Sequence, residues 1–230
     1  MIKLHIGLSA FLSMSKKLNT IYRFVILVAL MVSVNSYAQR VGIYTGTFDP
    51  PHIAHKAIVE NILKSNLVDE IYVVPDDKTP YKPNKSPLVH RIAMLKIMFE
   101  GQSKVTFLDP SITDKMTNGD MWNVYNVVKE NAKPQEALVI MGADTFVKYR
   151  DFSFHFDDHN FSLAVITRGN EIQIPDFLDN QKIHRIELDM ADVSSTKIRN
   201  ALRDGEYVTE LPLKVFQYIK QHGLYNFPIK

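Results

Sequence analysis

The chain has 230 residues, of which 46% are hydrophobic and 23% charged, with a net charge of +2 and no cysteine. That length suits one α/β core and leaves little for a second full domain, and the ordinary composition excludes a disordered chain or a multi-span membrane protein. The charge balance does not mark a nucleic-acid binder, and the lack of cysteine excludes a disulfide framework, a zinc-thiolate site and a cysteine nucleophile together.

The first element is of a different kind from the rest. Lys16, Lys17 and Arg23 precede an apolar run over residues 24–34, interrupted only by Ser33 and followed by Asn35, Ser36, Tyr37 and Ala38. A positive region, a short apolar run and small residues at the third and first positions before a cut form the pattern of an export signal, with cleavage after Ala38. The run is too short to span a bilayer, which takes about 20 apolar residues. Export or a periplasmic location follows if the signal is used. A cytoplasmic protein follows if the start is misplaced, and Met14 would make a natural start for the signal itself. Residues 1–38 are therefore set aside, and residues 39–230 are read as the domain.

From residue 41 short apolar runs alternate with helical patterns, the rhythm of parallel β-α-β units. Strands are expected over 41–45, 70–74, 105–108, 137–141, 162–167 and 183–188, rich in Val and Ile as strands buried on both faces should be. Helices are expected over 53–65, 88–99, 122–131, 196–204 and 213–222, from apolar residues three and four apart. Residues 75–87, with four prolines and three lysines, read as a long surface loop. The fold class is α/β, a doubly wound parallel sheet.

The segment Gly46-Thr47-Phe48-Asp49-Pro50-Pro51-His52-Ile53-Ala54-His55 joins the first strand to the first helix. Sheets of this class bind ligands at the carboxyl ends of their strands, where loop amides and a helix N-terminus favour phosphate. Glycine at 46 is expected to let a backbone approach closely. His52 and His55, three apart in the first turn, are expected on one side of the helix, able to donate hydrogen bonds to phosphate oxygens. The loop has no P-loop ending, and the chain has no Gly-x-Gly-x-x-Gly fingerprint. Zinc proteases space their histidines four apart with an adjacent glutamate, so no metal site is read here.

A second polar segment, Val193-Ser194-Ser195-Thr196-Lys197-Ile198-Arg199, opens a later helix. Ser194 or Ser195 would cap it in any protein. Capping does not account for Lys197 and Arg199, read as first-turn cations that oppose the helix dipole unless an anion is bound there.

These two segments resemble the Gly-x-Phe-Asp/Asn-Pro-x-His-x-Gly-His and Ile-Ser-Ser-Thr-x-Ile-Arg signatures of the nucleotidyltransferase superfamily, whose topology is Rossmann-like. Further similarity is to the nicotinate-nucleotide adenylyltransferases: the proline-rich loop ending in Lys82, then Arg91 and Met94, Gly142-Ala143-Asp144, Thr167-Arg168-Gly169, and the ending Val215…Tyr218-Ile219…Leu224-Tyr225. The resemblance implies transfer of an adenylyl group from ATP, accompanied by Mg²⁺, to nicotinate mononucleotide, with release of pyrophosphate. It places Gly46, Thr47, Phe48, His52 and His55 at ATP, with Ser195, Thr196 and Arg199 on the triphosphate from the other side. It sets Asp144 by the ribose and Arg168 near the adenine. Thr47, His52, His55 and Arg199 would serve catalysis, and Lys82, Phe152 and Trp122 would face the acceptor. A loop lysine, Lys78, Lys82 or Lys85, could close over the phosphates.

Three departures from the family pattern stand out. Ala54 replaces the signature glycine and is expected to bring a methyl group close to the ATP base or ribose. Residues 119–125 match the family's acceptor segment poorly, and Phe152 stands where the family has a tryptophan. An export signal also sits awkwardly with an ATP-consuming reaction, since ATP is scarce outside the cytoplasm. Two alternatives stay open at this level: another phosphorylated acceptor such as phosphopantetheine, or an exported nucleotide-binding protein without turnover.

Overall fold

The computed structural model describes residues 39–76, 84–108, 121–149, 161–167, 182–188 and 193–228. The chain divides at Ala38 into two units, and every described residue belongs to the second. The expected export signal and part of the proline-rich loop, including Lys78 and Lys82, lie outside the described residues, as do Phe152 and Arg168.

Six strands form one sheet: β1 (Arg40–Gly46), β2 (Glu70–Pro75), β3 (Val105–Thr106), β4 (Glu136–Gly142), β5 (Phe161–Thr167) and β6 (Ile183–Glu187). Their order is β3-β2-β1-β4-β5-β6, with every pairing parallel. Val, Ile and Leu dominate because both faces are covered; all seven residues of β5 are buried. Period-two alternation sorts β1 between two cores. Tyr44 packs with Ile58, Ile62, Met94, Ile198 and Val215 on one face, while Val41 and Ile43 pack with Val124, Val128 and Phe146 on the other.

The first face is covered by α1 (Ile53–Lys64), α2 (Leu88–Met98), α5 (Ser195–Arg203) and α6 (Leu213–Gln221), and the second by α3 (Met121–Ala132) and α4 (Ala143–Tyr149). Local chemistry sets the ends of α5. Ser194 Oγ accepts the Lys197 N–H at 3.2 Å, and Gly205, at φ +79°, lets the Glu206 N–H return to the Ala201 carbonyl at 2.9 Å. Ile198 and Leu202, four apart, carry its buried stripe. A short 3-10 turn, Leu224–Asn226, follows α6.

Two expectations differ from the structure. The strand expected over 105–108 pairs only at Val105 and Thr106, because β3 is an edge strand with one neighbour, and Leu108 leaves the ladder to pack in the second core. Helix α4 was not anticipated. It starts at Ala143, immediately after β4 ends at Gly142, so no turn signal separates them, and among its described side chains only Phe146 is wholly buried to betray an apolar face. Among the described residues no helix is long and apolar enough to cross a membrane.

Candidate active site

The sheet order reverses between β1 and β4, which opens a crevice at the carboxyl ends of these strands. Next to it lies a cleft of about 420 Å³ lined by Thr47, Phe48, Asp49, His55, Asn84, Lys85, Ser194, Ser195, Thr196 and Arg199. Two helices, α1 and α5, begin at this cleft. Their N-terminal partial positive charges converge on it, along with Lys85, Arg199 and a rim of hydroxyls.

The loop from β1 to α1 is shaped by Phe48. Its backbone is left-handed, φ +49°, which costs a bulky residue about 1–3 kcal/mol and persists only where the surroundings over-determine it. The ring is 2% exposed and packs edge-on against Tyr44 at 5.3 Å and His55 at 4.9 Å. A Cβ on residue 46 would stand 2.9 Å from this ring. Gly46 is therefore needed for the close approach of Phe48.

His52 and His55 differ in role. His52 is the N-cap of α1 and is 2% exposed; its main-chain carbonyl accepts the His55 N–H at 2.9 Å. The rings stack at 3.7 Å, yet only His55 is among the residues lining the cleft. The His52 N–H donates to His55 Nδ1 at 3.1 Å, so the neutral imidazole keeps its proton on Nε2, which is then the donor nitrogen of the ring. The methyl of Ala54 corrects another expectation. Ala54 is 1% exposed, packs in the first core and is not among the cleft-lining residues, so the added carbon is absorbed by the protein interior.

On the opposite wall α5 begins at Ser195, which puts Lys197 in its first turn and Arg199 at the start of its second. The Arg199 side chain runs back toward the helix start, as helical side chains do. Its Nη1 donates to the Asp49 carbonyl at 2.6 Å and its Nη2 to Thr196 Oγ1 at 3.1 Å. Ser195 Oγ donates to the Pro50 carbonyl at 3.0 Å. The two motifs are thus bonded to each other across the cleft. Lys197 is exposed and lies outside the cleft lining, so the expected pair of anion-facing cations reduces to Arg199.

Sequence reasoning named Arg91 and Tyr225 only as family matches and gave no role to the groups that hold this arrangement. Arg91 on α2 is fully buried; its Nε donates to the Ser86 carbonyl and its Nη1 to the carbonyls of Thr47 and Asp76, each at 2.9 Å. One planar fork thereby ties together three chain segments around the cleft. Asp49, 4% exposed, accepts the Ser86 N–H on Oδ2 at 3.1 Å and the Tyr225 hydroxyl on Oδ1 at 2.6 Å. Burial first, and then the Asp49 carboxylate beside it, push the Tyr225 hydroxyl far above the usual phenol range. An aspartate inside a glycine- and proline-rich loop was the available signal, but its partners lie far away in sequence. Lys85, one of three candidate loop lysines, lines the cleft, anchored beside Ser86.

Asp144 lies in the first turn of α4, at the carboxyl end of β4, and is exposed; it is not among the cleft-lining residues. Trp122 falls in the first turn of α3, and its side chain lies outside the described residues.

The cytidylyltransferase-like family profile matches residues 43–201, a span that holds both motifs. A Flavobacterium johnsoniae protein described as a probable nicotinate-nucleotide adenylyltransferase is 28% identical over 195 residues, covering 82% of this chain and all of that protein. A Listeria monocytogenes protein with the same description is 29% identical over 193 residues, covering 82% and 98%. Among solved structures, the Plasmodium falciparum nicotinic acid mononucleotide adenylyltransferase complexed with NaAD superposes with a TM-score of 0.65 at 20% identity. It covers 84% of this chain and all of that one. With the motifs, the sheet order and the crevice all in place, the chain belongs to the cytidylyltransferase-like family.

Proposed function

We propose that the protein transfers the adenylyl group of ATP to nicotinate mononucleotide, giving nicotinate adenine dinucleotide and pyrophosphate. The observation that carries this reading is the convergence of two helix N-termini, His55 and Arg199 on one cleft, in a chain whose nearly full-length relatives bear that activity in their names.

A phosphate oxygen of the mononucleotide attacks the α-phosphorus of ATP as the bond to the β-phosphate oxygen breaks, and pyrophosphate leaves with the electron pair. No covalent enzyme intermediate is needed, so the work falls to positioning and electrostatics. His55 Nε2–H donates to phosphate oxygens on which charge builds, and Arg199 offers its remaining guanidinium donors from the opposite wall. Thr47, Ser195 and Thr196 line the triphosphate path, with Phe48 and Gly46 shaping the loop and His52 fixing the start of α1. Magnesium enters with the substrate, as the counter-ion of ATP. Asp144 is assigned to the ribose and Arg168 to the adenine end, with Lys82, Phe152 and Trp122 on the acceptor side.

Pyrophosphate release by the purified protein tests the reading. ATP, Mg²⁺ and nicotinate mononucleotide are expected to support it, whereas nicotinamide mononucleotide and phosphopantetheine are not. Release with phosphopantetheine instead would reassign the acceptor, and ATP binding without any release would leave a nucleotide-binding protein. For location, the reading is export directed by residues 1–38. A reporter fused after Ala38 would then be released with that segment removed, and retention of the intact fusion in the cytoplasm would sink this part.

A further inference from the structure

Asp49 poses a problem for an anion site: it places a buried carboxylate at the edge of the cleft meant for a triphosphate. Arg199 already reaches the main-chain oxygen of this residue at 2.6 Å, yet the Asp49 and Arg199 side chains form no ion pair among the described residues. Both carboxylate oxygens are engaged elsewhere, Oδ2 by the Ser86 N–H and Oδ1 by the Tyr225 hydroxyl. The Ser86 amide is fixed in turn, since Arg91 holds the carbonyl of the same residue. Among the described residues Tyr225 is thus the one side-chain donor that occupies the carboxylate. It is placed for this by the turn after α6, where Gly223 and Tyr225 both adopt left-handed backbone, at φ +58° and +61°.

We propose that Tyr225 is a positioning residue that keeps the Asp49 carboxylate turned away from Arg199, so that the guanidinium stays available to the triphosphate. This rests on the ATP-binding reading of the cleft. An under-bonded buried carboxylate takes the nearest strong donor, because leaving a charged group without its hydrogen bond is costly. With the hydroxyl gone, that donor is Arg199, whose guanidinium already holds the main-chain oxygen of Asp49. The captured arginine would then be neutralised by protein and lost to the ligand. The phenol stays protonated throughout the neutral range, so the donor is present there.

The test uses the full chain and a non-hydrolysable ATP analogue, with binding measured by calorimetry beside steady-state kinetics. Tyr225→Phe is expected to weaken analogue binding and lower kcat/KM for ATP by about tenfold or more, with the KM for the acceptor unchanged. Adding Asp49→Asn to Tyr225→Phe is expected to restore analogue affinity to within about threefold of wild type, because a neutral amide does not capture the arginine. Loss without rescue, or a double variant worse than either single one, would make Tyr225 a structural brace only and overturn the proposal. Unchanged binding by Tyr225→Phe would overturn it as well. Should Tyr225→Phe alone fail to fold, the double variant decides, since it removes the hydroxyl and the carboxylate together. Analogue affinity within about threefold of wild type supports the proposal, and a larger loss overturns it. A wild-type protein that does not bind the analogue at all would refute the ATP reading itself, and this inference with it.

Discussion

His52 and His55 stand three residues apart on one turn, and the structure gives them separate tasks. His55→Ala is expected to lower kcat/KM at least tenfold, a loss of about 1.4 kcal/mol or more in transition-state stabilisation, with little change in melting temperature. His52→Ala removes a buried cap and is expected to cost about 2 kcal/mol of stability, read by denaturant unfolding. If the two variants exchanged these phenotypes, the assignment of the cleft-facing imidazole would be wrong. Ala54 gives a second residue-scale test. Since its methyl packs inward, Ala54→Gly is expected to leave the KM for ATP unchanged while destabilising α1 by about 1 kcal/mol. A clear gain in ATP affinity would show that the methyl does meet the ligand. The motifs were legible because their residue types and order are distinctive. The direction of the Ala54 methyl was not, because one residue in the first turn of a helix carries no periodic signal of its own.

At the scale of elements, the turn that carries Tyr225 has a pH dependence of definite sign. Its hydroxyl titrates higher in the folded chain than in the unfolded one, so the folded state holds a proton that the unfolded state releases. The contribution is complete below the ordinary tyrosine value of about 10 and is lost as pH rises from there toward the folded value. The stability gap between wild type and Tyr225→Phe is therefore expected to be widest at neutral pH and to narrow above about pH 10, followed by urea unfolding. A gap that widened in alkali would contradict the buried, protonated assignment. The buried strands were readable at this scale because a parallel sheet covered on both faces demands uninterrupted Val and Ile. Helix α4 was hidden by its direct exit from β4. The role of Arg91 was hidden for a different reason: an arginine in a helix pattern reads as a solvated charge, and the three carbonyls that meet it reveal why it is fully buried.

For the whole molecule, the contrast between sheet and cleft has a cause. Apart from β1 and β4, whose paired residues lie 96 positions apart, neighbouring strands are consecutive in the chain, so the doubly wound class could be inferred from the alternation of elements. The cleft is closed by bonds between residues far apart: Pro50 to Ser195 spans 145 positions, Asp49 to Arg199 spans 150, and Asp49 to Tyr225 spans 176. Such pairings leave no local pattern, and only the two motifs hinted that the ends would meet. Their separation also bears on how activity arises in time. Each of these bonds closes a long loop and must meet that entropy before it gains anything in return, whereas helices form from near neighbours. On dilution from denaturant, far-ultraviolet ellipticity is expected to recover before the capacity to bind ATP, with the lag absent only if the two recover at one rate. The polypeptide would then pass through a stage at which most of its backbone is ordered and its chemistry is still switched off, because the walls of the reaction chamber are joined last.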